Sequence, residues 1–175
     1  MKNEHILNKN QSVAIIPLES IPTIELYVDQ VTTFLEKRLA PNKRYEDDKI
    51  MTKTMINNYA KAKLFPSPYK KKYSKSHIIL LILIYHLKSV LTIHDICKLF
   101  APINKLLESN LECPELDKLY QLFTEMQVCI SEHREYPLNP EEHSKIPYNI
   151  LTVLSYSLMA NRARQVAERV IDTNF

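Results

Sequence analysis

From Thr52 to Leu64 the side chains of a helix would sort into two faces. Met55, Ile56 and Tyr59 form the apolar one and must point inward. The opposite stripe is Thr54, Asn57, Asn58 and Lys61, with Lys53 beside it. None of these is acidic. Asn can pair bidentately with the N6/N7 edge of adenine, Thr can donate to a phosphate or touch a thymine methyl, and Lys can reach guanine or phosphate. A helix lying in a DNA major groove needs such groups, whereas the plain alternative is a solvated helix face.

A second cluster follows. Lys70, Lys71 and Lys72 stand between Tyr69 and Tyr73, just after Pro66-Ser67-Pro68 has ended any helix. We expect a short extended wing that touches the sugar-phosphate backbone, with a solvated charge run or a lysine-guarded strand edge as the alternatives. Both clusters lie in an interval, residues 49 to 94, with nine lysines, no Arg and no Asp or Glu. That interval is +9, against −2 for residues 1 to 48 and −4 for residues 95 to 175, which the net charge of +3 conceals. Such asymmetry is the footprint of a polyanion-binding segment on an acidic scaffold. Lysine is a point charge and not a planar fork, so base discrimination would rest mainly on Asn and Thr.

The elements that must hold these residues are helices. The 175 residues contain no Gly, which removes phosphate-cradling glycine loops, the dinucleotide fingerprint and the nucleophile elbow, and disfavours tight hairpins. Ten prolines punctuate the chain instead. We expect a helix capped by Thr23 and ended by Pro41, with Ile24, Tyr27, Val28, Val31, Phe34 and Leu35 on one face, and then the helix capped by Thr52. Ser74 should cap a buried helix through Val90. Thr92 and Asp95 form a capping box for one that stops near Ala101 before Pro102, followed by a short helix over 103–108. Pro114 should open a long helix bearing Leu116, Leu119, Tyr120, Phe123, Met126 and Ile130, to about Glu135, and residues 137–147 read as loop. The last helix, from about Pro147, carries a stripe of Tyr156, Met159, Ala163, Val166, Ala167 and Val170 that has the spacing of a partner helix, although such a stripe is more often the core of its own domain.

Other chemistries find little support. Cys129 and His133, four apart, with His143 nearby, could face a metal, but no third ligand or acid/base partner is identifiable. No paired carboxylates or catalytic motif are visible, so we expect no enzyme, no metal and no cofactor. The longest apolar run, Ile78 to Tyr85, is too short for a membrane span. The N-terminus lacks an apolar signal core, and three cysteines without metal spacing suit a reduced setting, so a cytoplasmic protein is expected. Tyr59, Tyr69 and Tyr73 could instead stack single-stranded bases or RNA beside lysines.

The run Met51 to Tyr59, then Lys61, Leu64, Pro66, Lys72-Tyr73-Ser74, His77-Ile78, Leu87-Lys88 and Leu91 to Ile96, resembles a YkrK-like domain-of-unknown-function family of low-GC Gram-positive bacteria. Ile21-Pro22 and Leu26 to Thr32 resemble that family's N-terminal signature, so the likeness spans roughly residues 20 to 104. More distantly, the stretch resembles the winged helix-turn-helix of MerR-type regulators. Here the connector before the Thr52 helix is longer than a helix-turn-helix turn and the wing is short with no Gly at its tip.

The expected protein is therefore all-α, a helix-turn-helix-like bundle with a short basic wing and long C-terminal helices. An N-terminal arm (residues 1–20) would precede a DNA-binding domain (21–104) and a C-terminal helical region (105–175) carrying dimerisation. Its expected role is a sequence-specific duplex-DNA-binding transcription regulator and homodimer, with Lys53, Thr54, Asn57, Asn58, Lys61, Lys70, Lys71, Lys72 and Tyr73 at the interface. The alternative is a non-enzymatic interaction module whose basic strip binds an acidic partner or RNA.

Overall fold

The computed structural model describes residues 14–109, 113–132, 134, 136 and 148–174. Six helices and one two-stranded pairing make up the described architecture: β1 (Leu26–Tyr27), α1 (Val28–Leu39), α2 (Lys53–Lys61), β2 (Lys72–Tyr73), α3 (Lys75–Leu87), α4 (Ile93–Ser109), α5 (Pro114–Ser131) and α6 (Tyr148–Asn174). The protein is predominantly α-helical, as its composition demands.

The centre of the molecule is α3. Eleven of its thirteen residues are buried, which an apolar sequence on every side of a helix requires. Ser74 caps it as expected, and α5, α6 and β2 pack around it. The core is one continuous cluster from Ile16 to Leu158, joining Val31, Leu35 and Leu39 of α1, Ile56 of α2, Phe100 of α4, Phe123 of α5 and Leu154 of α6. Residues 14–20 lie on the body: Tyr120 donates its buried hydroxyl to the Ile16 carbonyl at 2.7 Å, and Asn42 exchanges two hydrogen bonds with the Ala14 backbone.

Three expectations are corrected. The first helix starts at Val28 and not after Thr23, because Leu26 and Tyr27 are extended and pair antiparallel with Tyr73 and Lys72. Ile24 is 70% exposed, and the cap comes from Gln30 Oε1, which accepts from the Tyr27 N–H at 2.9 Å. Helix α4 does not stop before Pro102 but runs through it to Ser109. A proline inside a helix costs about 3 kcal/mol or more, and the buried row Ile96, Phe100, Ile103 and Leu107 offsets it, since breaking the helix would expose half that row. The boundary drawn at residue 104 thus falls within α4, and one core runs across it.

Helix α6 keeps the stripe with partner-helix spacing on its outside. Its buried face is Ile150, Leu151, Leu154, Leu158 and Asn161, so the stripe Tyr156, Met159, Ala163 and Val170 points outward, with Tyr156 66% and Met159 50% exposed. The two faces are both apolar, and packing against α3 and α5 chose the one with larger branched residues. Cys129 lies half-buried on α5, while His133, His143 and the 137–147 segment fall outside the described residues.

Candidate nucleic-acid interface

Helix α2 is short, and its placement depends on three anchors. Thr52 Oγ1 accepts from the Met55 N–H at 3.2 Å, making the expected N-cap. Just before it, the backbone of Ile50 is held on both sides: its N–H donates to Glu36 of α1 at 3.3 Å, and its carbonyl accepts from Lys88 Nζ at 3.0 Å. Glu36 also pairs with Lys43, and that hydrogen bond is the main cause holding its carboxyl below its ordinary range. At the far end Leu64 N–H bonds Tyr59 O and Lys63 N–H bonds Ala60 O, the two bonds of a Schellman cap. Lys63 occupies its left-handed position at φ 57°, where most proteins use Gly.

These anchors turn Ile56 and Tyr59 inward, leave Met55 half-buried and present Lys53, Thr54, Asn57, Asn58 and Lys61 to solvent. The outer stripe of α2 is free of acid along its own length. Among the described residues Lys53 alone of this stripe has a charged partner: it forms an exposed ion pair with Asp29 in the first turn of α1. Pairs of this kind are worth less than about 1 kcal/mol, so Lys53 can exchange Asp29 for a phosphate.

The lysine cluster is built differently from the extended wing expected of it. Residues 69–71 form a helical turn in which Lys70 and Lys71 are both left-handed, at φ 48° and 62°. Only then does the chain extend as β2, and its partner is β1, ahead of α1, in place of a second wing strand. Lys70 and Lys71 are exposed, with Lys70 Nζ 5.1 Å from the Tyr69 ring centroid. Lys72 is half-buried and lies 5.8 Å over the Tyr27 ring. Tyr27 and Asp29 are two residues apart at the β1–α1 junction, so one short stretch of backbone joins Lys72 at the turn to Lys53 at the start of α2.

Tyr73 is not part of this surface. It is 4% exposed, and its ring meets Phe65 and His77 edge-on at 6.3 and 5.7 Å. Burial raises its phenol pKa. His77 completes this cluster. One ring nitrogen, Nε2, faces the Pro66 carbonyl at 2.9 Å and must carry the proton, which leaves Nδ1 to accept from Ser74 N–H at 3.1 Å and the Ser74 hydroxyl at 2.8 Å. Burial pushes its pKa down. The Tyr69–Ser74 segment is therefore pinned from behind while Lys70 and Lys71 face out.

Sequence reasoning missed Asp29 and Tyr27 as neighbours of these lysines. The Tyr27 contact depends on the β1–β2 pairing, which two-residue strands do not announce, and the Asp29 contact on the packing of α1 against α2. Among the described residues no three His, Cys, Asp or Glu side chains gather as a metal site, and no helix is long and apolar enough to cross a membrane.

Fold and surface together define a small helical domain with one exposed polar helix and a lysine turn. Comparison with known families places it: the chain belongs to the family described as domain of unknown function (DUF1836), whose model matches residues 16–123. That span takes in β1 through α4 and the first half of α5, and leaves α6 outside. No curated protein and no solved structure matches the chain.

Proposed function

We propose that the protein is a sequence-specific duplex-DNA-binding transcription regulator in which α2 enters the major groove and the Lys70–Lys72 turn holds the adjacent backbone. The observation that carries this is the exposed stripe of α2, where Thr54, Asn57, Asn58 and Lys61 face outward together from a helix anchored at both ends. Asn57 and Asn58 are the base-reading groups, Lys61, Lys70 and Lys71 the phosphate contacts. Two successive left-handed lysines cost about 1–2 kcal/mol each, and strain of this kind concentrates at functional sites.

We further propose that the regulator is a homodimer through the outward face of α6. Tyr156, Met159, Ala163 and Val170, with half-buried Val166 among them, follow the 3–4–3–4 spacing of a two-helix seam about 21 Å long, and Ala163 allows close approach. Helix-turn-helix proteins commonly read paired half-sites as such dimers.

Alanine variants separate the roles. Asn57→Ala and Asn58→Ala are expected to relax sequence preference, each costing about 1–3 kcal/mol at its base, whereas Lys71→Ala weakens all sequences alike and flattens the salt slope by about one unit. Equal losses on every sequence for the Asn variants would move them to the phosphate class and remove the basis for specific recognition.

A further inference from the structure

Where α6 passes the C-terminal ends of α3 and α5, a cavity of about 130 Å³ opens whose described lining includes three cations, Lys88, Arg162 and Arg164, and no carboxylate. It shares Asn42, Tyr85, Arg164 and Gln165 with a wider cavity of about 430 Å³ that continues along α6. Most cations of this cleft are already engaged. Arg164 donates to Glu168 at 2.5 Å, Arg44 holds Asp172 through two hydrogen bonds of 3.1 and 2.6 Å, and Lys88 donates to the Ile50 carbonyl.

In the smaller cavity Arg162 is not engaged. Its Nε and Nη1 are buried and have no hydrogen-bond partner among the described residues. Burial, and then the nearby charge of Arg169, lower its pKa, yet a guanidinium remains protonated at any ordinary pH. Guanidinium donors left unmet are costly, and the acceptor that meets them best is an anionic oxygen of a carboxylate or phosphate. The walls beside it are neutral and held in place: Ser89 Oγ donates to Asn161 Oδ1 at 2.5 Å, Asn161 Nδ2 to the His86 carbonyl at 2.5 Å, and Ser131 Oγ to the Val128 carbonyl at 2.7 Å.

We propose that this cleft binds a small organic oxyanion, its carboxylate or phosphate group seated on Arg162 in the smaller cavity and its body lying in the wider one beside Tyr85 and Gln165. The smaller cavity has the volume of about four waters, enough for one anionic head group, and the wider one falls in the size range of small-molecule pockets. This site is independent of the DNA surface, and its occupant would be an effector of whatever the protein does.

The test is thermal unfolding of the full chain, without DNA, across titrations of sodium phosphate and sodium citrate against sodium chloride at matched ionic strength. We expect a saturable rise in Tm with at least one oxyanion and none with chloride. Arg162→Gln should shift the half-saturation point up by about tenfold or more, Arg162→Lys should weaken it while keeping the charge, and Lys71→Ala should leave it unchanged. A response to phosphate alone assigns a phosphate ester, to citrate alone a carboxylate. No saturable shift beyond chloride, or an undiminished shift in both Arg162 variants, overturns the proposal.

Discussion

Acidification is expected to destabilise this protein through His86, and the size of the effect follows from where the imidazole sits. His86 is 9% exposed at the end of α3, with Phe123 of α5 5.3 Å and Tyr85 5.0 Å from its ring centroid. Gln127 of α5 places its amide nitrogen 3.3 Å from Nε2, so that nitrogen is an acceptor and must be bare. The charged groups around it are Lys88, Arg162 and Arg164, all cations lining the adjoining cavity. Burial pushes the pKa down to about 4 from an unfolded value of 6.5. Because the folded state resists the proton, the unfolded chain binds it first, and stability is full above pH 6.5 and lost as pH falls towards 4. At about 1.36 kcal/mol per pH unit, this single group removes about 2.5 kcal/mol between pH 7.5 and pH 4.5. Urea unfolding of the wild type and of His86→Gln at both pH values isolates it, since carboxylates and His77 contribute to both proteins and cancel. The wild type should lose about 2.5 kcal/mol more than the variant. Equal losses would refute the assignment of His86 as a buried neutral group.

Three further outcomes follow from the packing. Lys63→Gly should stabilise the fold by about 0.5–1 kcal/mol in denaturant melts, because Gly occupies the left-handed cap position without the Cβ penalty; destabilisation would mean the Lys63 side chain contributes contacts of its own. Tyr120→Phe removes the donor to the Ile16 carbonyl and should cost about 1–3 kcal/mol, read by the same melts, with a neutral result excluding that anchor. Ala163→Glu, on the outward face of α6, should leave the far-UV circular dichroism intact and yield a monomer by sedimentation equilibrium, whereas a wild type already monomeric at high concentration removes the α6 seam.

What the sequence disclosed was local. Thr52, Ser74, the Thr92–Asp95 pair and Pro114 each act on backbone groups within one helical turn, and each stands where its chemistry placed it. The candidate site was legible for the same reason, since Ile56 and Tyr59 set which face of α2 is left outside. Features decided by distant contacts were not. The β1–β2 pairing joins residues more than forty positions apart, and it displaced the start of α1, reshaped the wing and put Tyr73 in the core. Pro102 is tolerated only because Ile103 and Leu107 continue a buried row. In α6, two apolar faces compete, and only the presence of α3 and α5 says which one wins. Lys63 at the left-handed cap of α2 reflects the absence of Gly: the turn is still needed, and an exposed lysine takes it.

The central claim is that α2 and the Lys70–Lys72 turn form a duplex-DNA surface. Fluorescence-anisotropy titration against random 30-base duplex and single-stranded DNA, at several salt concentrations, addresses it most directly. The account predicts duplex preferred over single strands, affinity that falls steeply with salt, and loss of binding when Lys70, Lys71 and Lys72 are replaced together. Absence of duplex binding at low salt would contradict it and leave the outward face of α6 as the leading functional surface.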